Sequence, residues 1–397
     1  MDLKSSDVQW LCIGKSVQGS SHLKSQLPNQ DAIDWILGTL PQDHEGPPVI
    51  LAVSDGHGSA KSFRSDRGSK FAVESTIKVL KDFFLGNQAE NNVNIATLKD
   101  ITQNLLPKLI SDEWIKQVQS DLHKEPISQK EKEVLLEKSD QGALESIENN
   151  PLLVYGATLL ATLVTELYIV YIQLGDGDIF TVDASGHSNR PLPKDERLIA
   201  NETTSLCSPK AWNEFNIHVD WFLEKSTKEL PVLIFLSTDG YSNSFLTDDE
   251  FFKIGKDYLE IIRDKGIYNL ERQLKDFLEQ TSEKGSGDDI TLGIIKRIES
   301  EDRDYLVGVT SSIQKKTEIL EKTMNQNLDN YSNLEKKISR LERKQNLNSK
   351  QLRFGFIVLA VSLIISVGSA VGCILLNFKI EKPPVHPILP SDTNRNS

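Results

Sequence analysis

ATLLATLVTELYIVYIQLGDGDIFTVD, residues 157–183, sets β-rich runs side by side with only short polar breaks between them. A connection as short as TELY leaves no room for the dozen or more residues of a parallel crossover, so the runs it joins are antiparallel. DASG at 183–186 makes the same kind of tight turn. WLCIGKSV, VILAVSD, PVLIFLSTDG and DITLGIIKRI read as further strands, while GSKFAVESTIKVLKDFF and EFFKIGKDYLEIIRD carry helical spacing. Short antiparallel connections with the helices set apart predict an α+β sandwich rather than a doubly wound parallel sheet. Residues 86–150, rich in Asn, Glu, Lys and Gln, read as a helical insertion or connection, exposed after Pro126.

Composition narrows the function classes. With 38% apolar and 26% charged residues the chain is an ordinary globular protein, and its net charge of −12 argues against a nucleic-acid partner while remaining compatible with divalent cations. Cys12, Cys207 and Cys373 lie far apart, so neither a disulfide framework nor a zinc site is predicted. MDLKSSDVQW lacks the apolar core of a signal peptide, which predicts that the first three hundred residues stay in the cytoplasm.

The far end differs. Residues 354–376, FGFIVLAVSLIISVGSAVGCILL, carry no charge and as a helix rise about 34 Å, enough to cross a hydrocarbon core of about 30 Å. Arg340, Arg343, Lys344, Lys350 and Arg353 precede this span, against Lys379, Lys382 and Arg395 after it, so the large amino-terminal part is expected on the cytoplasmic side of a single-pass membrane protein. Between a linker at 301–312 and the span, residues 313–352 show a heptad seam with Leu320, Leu334 and Leu341 at d and Met324, Tyr331 and Ile338 at a. Polar Asn327 and Gln345 weaken that seam, which reads either as a coiled-coil stalk or as a solvated single-helix spacer. With Gly368 and Gly372 in the span, the coiled coil would make a homodimer. A short tail follows at 377–397.

Acidic residues recur where apolar strands end. NQD ends at Asp31, VSDG at Asp55, GDGD holds Asp176 and Asp178, STDG holds Asp239, and GSGDD holds Asp288 and Asp289. Any one Asp-Gly alone is a turn signal. If the set converges in space, the carboxylates repel and need a counter-ion, for which hard oxygen donors suit Mg²⁺ or Mn²⁺. Metal-assisted phosphate-ester hydrolysis would then follow.

The ordered set SVQGSSH, NQDA, VSDGHGS, YGATLL, LGDGDIF, LSTDG and GSGDDIT resembles the metal-dependent type 2C Ser/Thr protein phosphatases, over roughly residues 8–297. The resemblance implies a four-layer α-β-β-α sandwich over 1–300, with two antiparallel sheets flanked by helices and two Mn²⁺ or Mg²⁺ ions at one edge. By motif, Asp55 would bridge both metals and Gly56 would offer its carbonyl to one. Asp239 and Asp288 would complete one ion's protein ligands, Asp31 would serve the other, and Asp176 would contribute to a third, weaker site. His57 stands in the place of the family's proposed general acid, with turn packing as its alternative role. The implied reaction is in-line attack of a metal-bridging hydroxide on phosphoserine or phosphothreonine in protein substrates.

Three departures stand out. SVQGSSHLKSQLPNQD has no phosphate-binding arginine, leaving His22 or Lys24 as substitutes; Gln30 replaces a common glutamate; and Asn243 replaces a frequent aspartate. Arg64 and Arg67 read as salt-bridging residues or as attractors of a phosphorylated substrate, and Trp212 and Trp221 as packing residues or as parts of a substrate-facing flap in 186–225. The alternative function is a catalytically weak phosphatase-like scaffold at the membrane. A metal-dependent nuclease shares the carboxylate logic but finds no basic groove.

Overall fold

The computed structural model describes residues 10–37, 48–88, 95–165, 167–193, 203–222, 230–298 and 336–337. Contacts divide the chain into units at 1–303 and 304–397, and of the second only the helical pair 336–337 is described. The expected linker and tail, the span at 354–376 and nearly all of the stalk lie outside the described residues. Among the described residues no helix is long and apolar enough to cross a membrane.

Two five-stranded antiparallel sheets form the first unit. One runs in the order β1 (Trp10–Val17), β10 (Ile290–Arg297), β9 (Leu233–Ser237), β6 (Asp178–Val182), β7 (Ser188–Asn189). The other runs β2 (Ala32–Leu37), β3 (Val49–Ser54), β4 (Leu159–Val164), β5 (Tyr168–Leu174), β8 (Asn216–Trp221). The turn after β4 and DASG after β6 both close antiparallel pairs, as their lengths predict. The GDG turn does something else: it carries the chain from β5 in the second sheet to β6 in the first, placing Asp176 at the edge of the sandwich.

Burial explains the strand compositions. β3 and β4 are buried along their whole length, because one face meets helices and the other meets the opposite sheet. Leu51, Val53, Leu160, Ile169, Leu236 and Ile295 fill the space between the sheets. On the outer face of the second sheet pack α2 (Ser65–Gln88) and α4 (Leu106–Lys124), with Trp114 and Ile110 fully buried. On the outer face of the first lie α8 (Asp248–Lys265) and α9 (Ile267–Lys284), which bury Tyr258, Ile262, Leu270 and Leu274. These are four layers.

β2, β7, β8 and α9 are not among the strands and helices read from sequence. β2 and β8 are edge strands, and the charges of Asp34 and Asp220 interrupt their apolar runs, so pattern alone does not separate them from loops. Trp221 lies on β8, its ring 5.4 Å from that of Tyr168, which settles its role as edge-strand packing.

The insertion is more ordered than its polarity suggests. It comprises α3 (Ile95–Asp100), a π-helical turn at Ile101–Leu105, α4, α5 (Gln129–Lys138) and α6 (Gln141–Asn149). After Pro126 the chain is helical and largely exposed, anchored by a few buried side chains. Ser128 and Glu131 close a capping box on α5, Asp140 caps α6, and Leu135, Ala143 and Ile147 are buried. Arg64, 4% exposed, fastens this insertion to the sandwich: its Nε and Nη2 donate to Glu131 at 2.8 and 3.0 Å, and its Nη1 to Tyr155 Oη at 2.7 Å. Arg67 pairs with Asp121 at 3.1 Å and with Glu125. Arg64 is therefore a fastener, its guanidinium committed to Glu131 and Tyr155.

Candidate metal centre

Strand pairing gathers the acidic residues. Asp55 leaves β3 just where Asp31 enters β2, because Ala32 lies opposite Ser54 in the antiparallel register. Asp239 follows β9 and opens the short helix α7 (Asp239–Ser242), while Asp288 and Asp289 precede β10, whose Leu292 lies opposite Ser237. Asp176 joins them from the turn between the sheets. Both sheets thus present carboxylates at one shared edge.

The electrostatics record the convergence. The Asp55 carboxyl is pushed well above the usual range by burial first, then by the charges of Asp31 and Asp239, with which it also shares a hydrogen bond in the latter case, and by Asp288. Asp31 is raised well above its ordinary value by burial and then by Asp289, while hydrogen bonds from Thr238 and Thr291 work the other way. Asp239 is raised by burial, opposed by its hydrogen bond with Asp55, and raised further by Asp176 and Asp288.

No lysine or arginine among the described residues forms an ion pair with Asp31, Asp55, Asp239 or Asp288. The one approaching base is His22, whose Nε2 lies 3.6 Å from Asp288 Oδ1 and whose Nδ1 lies 2.9 Å from Asp289 Oδ2. That Nδ1 contact is close but lacks hydrogen-bond alignment, and the atom has no hydrogen-bond partner. A cluster of mutually repelling oxygen donors, from buried Asp31 through half-buried Asp55 and Asp239 to exposed Asp288, without a described lysine or arginine partner fits a divalent metal of the Mg²⁺ or Mn²⁺ kind. Among the described residues, only His22, Asp288 and Asp289 bring three ligand atoms within 4.8 Å of one another. Asp31, Asp55 and Asp239 converge without reaching that spacing.

Local bonding aims each group. Thr158 receives the Asp55 amide on its Oγ1 at 3.0 Å and returns its own amide to the Asp55 carbonyl at 2.8 Å. Gly56 bridges Ala157, and the His57 amide donates to the Gly156 carbonyl at 3.0 Å. Gly156 is required there: a Cβ would stand 2.5 Å from His57 Cδ2. Gly240 is required for the same reason, since its Cβ would stand 2.1 Å from the Asp289 carbonyl oxygen. Burial lowers the His57 pKa, against which the charge of Asp176 works.

The departing residues take structural work. Gln30 turns its Nε2 to Ser65 Oγ at 2.8 Å, at the start of α2. Asn243 Nδ2 donates to Asp239 Oδ2 at 3.0 Å and so orients that carboxylate. Lys24 is exposed on α1 (Ser20–Ser25), whereas His22 on the same helix faces the Asp288–Asp289 pair.

Three contributors escaped the sequence reading. Thr238 Oγ1 donates to Asp31 Oδ2 at 2.8 Å and accepts from the Thr291 amide at 2.9 Å. Thr158 holds Asp55. Asp289, 3% exposed, accepts from the amides of Gly19 at 2.6 Å and Gln30 at 2.7 Å, tying together three segments distant in sequence. Their only sequence signal is adjacency to the motifs STDG, YGATLL and GSGDD.

A family model described as protein phosphatase 2C matches residues 18–279, ending short of Asp288. No curated protein matches the chain. Among solved structures, the serine/threonine phosphatase Stp1 from Staphylococcus aureus is 15% identical with a TM-score of 0.44, over 76% of this chain and 100% of that one. The Mycobacterium tuberculosis serine/threonine phosphatase PstP/Ppp is 14% identical with a TM-score of 0.40, over 73% and 98%. A catalytic domain of serine threonine protein phosphatase PstP in complex with two manganese ions is 14% identical with a TM-score of 0.43, over 74% and 100%.

Proposed function

The chain belongs to the protein phosphatase 2C family, and on that premise we propose that it hydrolyses phosphoserine and phosphothreonine in proteins at the edge where Asp31, Asp55, Asp239 and Asp288 meet. It is a metal-dependent protein phosphatase using Mn²⁺ or Mg²⁺. The observation that carries the site assignment is electrostatic: burial, and then the charges of neighbouring acids, push the Asp31, Asp55 and Asp239 carboxyls up, with no described lysine or arginine to offset them.

Asp55, Asp239, Asp288 and Asp31 would hold the metals, with Gly56 contributing its carbonyl and Asp176 reaching a third, weaker site. When bound, the metals supply an acidified water as nucleophile and neutralise charge on the phosphoryl oxygens. The protein's own groups do the positioning. Thr238 aims Asp31, Asn243 aims Asp239, and Thr158 holds the backbone of Asp55. His57 would donate a proton to the departing serine or threonine oxygen; burial lowers its pKa, and the nearby charge of Asp176 works against that, toward the protonated imidazole that this step needs. His22, which faces Asp288 and Asp289, and Lys24 on the same helix would contact the substrate phosphate.

The scaffold alternative loses ground because the acidic set is complete. Mn²⁺-dependent hydrolysis of a phosphothreonine peptide by the full chain, abolished in Asp239→Asn, tests the assignment. Turnover of DNA or nucleotides at a comparable rate would point to a different enzyme.

The same reading covers the carboxyl-terminal region. Residues 354–376 anchor the phosphatase in a membrane with its catalytic unit cytoplasmic, and residues 313–352 form a stalk that pairs two copies. An uncharged span, a basic excess before it and the heptad seam support this. Extraction of the chain from membranes by alkaline carbonate would overturn the anchor, and a monomeric mass in detergent would overturn the pairing.

A further inference from the structure

Between α4, the 3-10 turn Pro151–Tyr155 and residues 206–212 lies a cavity of about 260 Å³. It is separate from the acidic edge but shares a wall with it. At Gly156 a Cβ would lie 2.5 Å from His57 Cδ2 on one side and 3.3 Å from Cys207 Sγ on the other. Cys207 lines the cavity, and the amide of its neighbour Leu206 donates to the Ala157 carbonyl at 3.0 Å.

Three features point to a ligand. Ser111, 1% exposed, lines the cavity with a hydroxyl that has no hydrogen-bond partner, and a buried unpaired hydroxyl costs free energy unless something occupies it. The walls at Ile115, Leu206 and Trp212 are apolar, which suits a hydrocarbon body. Lys210 also lines the cavity, exposed and held at φ 58 in the left-handed region that a side chain adopts only at a cost. Among the described residues no carboxylate lines the cavity. A lining lysine, with the charge of Lys61 also reaching Cys207, an apolar wall and one buried hydroxyl describe the complement of a small organic acid. The volume falls just under the usual range of about 300–1,000 Å³, so the acid is small.

We infer that this cavity is a second ligand site, for a small aryl carboxylate whose ring rests on the apolar wall, whose carboxylate meets Lys210, and whose polar tip meets Ser111. It goes beyond the phosphatase reading, and binding is read here without turnover. The probe is 4-hydroxyphenylacetate, with tyramine as the same body carrying the opposite charge. The full chain in lipid nanodiscs is examined by saturation-transfer NMR, with empty nanodiscs as blank. In parallel, slow iodoacetamide labelling of Cys207 is followed by mass spectrometry, with Cys12, equally buried but not in the cavity lining, as internal reference.

The acid is expected to give saturable transfer and to slow Cys207 labelling at least fivefold relative to Cys12. Lys210→Glu, a change at an exposed position, and Ser111→Leu, which fills the cavity, are both expected to abolish these effects. Absence of transfer from the acid at 10-millimolar concentration, or equal transfer from tyramine, overturns the inference. So does unchanged binding in Lys210→Glu.

Discussion

Replacing Asp55 by asparagine is expected to stabilise the metal-free protein while destroying its response to metal. The side chain is nearly isosteric, so what changes is charge. Asp55 feels Asp31, Asp239 and Asp288, and its carboxyl is pushed up by burial and by their charges. A pair of carboxylates near 4 Å repels by roughly 1 kcal/mol in water and roughly 4 kcal/mol at an effective dielectric of 20. Asp55 is half-buried, between those limits, so neutralising it relieves about 2–4 kcal/mol. At about 2 °C per kcal/mol, the low end of the usual range and suited to a unit as large as residues 1–303, Asp55→Asn melts about 4–8 °C above wild type in chelator. A metal present at about 1,000 times its Kd then adds about 4 kcal/mol to the wild type alone, and the order of the two melting curves reverses. Differential scanning fluorimetry in EDTA and in millimolar Mn²⁺ reads both halves. A variant that melts below wild type in EDTA would refute the account, because the acids would then be held by something other than an absent cation.

The pH dependence follows with a definite sign. Because the folded-state pKa of Asp55 is raised, its stabilising contribution is complete below its unfolded value near 4 and is lost as pH rises through the folded value. In chelator the stability gap between Asp55→Asn and wild type is therefore absent below about pH 4 and widens above it; urea unfolding at several pH values measures this, and a pH-independent gap contradicts it. At the insertion, burial opposes ionisation of Glu131, but hydrogen bonds from Arg64 and Ser128 hold its pKa at about 2. Its contribution is present above about pH 4.5 and is lost as pH falls toward 2. Glu131→Gln is expected to cost about 2 kcal/mol at neutral pH in urea unfolding, less than the 3–5 of a fully buried pair because Glu131 is 29% exposed. His57→Gln is expected to lower kcat on a phosphoserine peptide about 100-fold and on para-nitrophenyl phosphate far less, because nitrophenolate leaves without a proton; equal losses on both would remove the acid role. Gly156→Ala is expected to lower kcat with little change in Mn²⁺ affinity, since the new methyl displaces His57 and leaves the carboxylates in place.

Much of this was legible in the chain itself. Continuous apolar runs such as VILAVS and LLATLV could only be strands covered on both faces, and tight polar breaks such as TELY forced antiparallel pairing. The acids stood out because each sits at the end of such a run. Local chemistry suffices for all of these, since each depends on neighbours within a few residues.

Whether those acids form one site was a question of register and sheet order. The antiparallel register places Ala32 opposite Ser54, which brings Asp31 beside Asp55, and the GDG turn crosses between sheets where its length suggested a hairpin. Asp289, named with Asp288 in the acidic set but given no role of its own, ties the Gly19 and Gln30 amides together, and Arg64, read as salt-bridging or substrate-attracting, is committed to Glu131. The cavity beside Ser111 exists only because residues remote in the chain leave it unfilled. Partners like these are chosen by long-range packing and by the cost of leaving buried polar groups unpaired, and a pattern read over a few residues carries no trace of either.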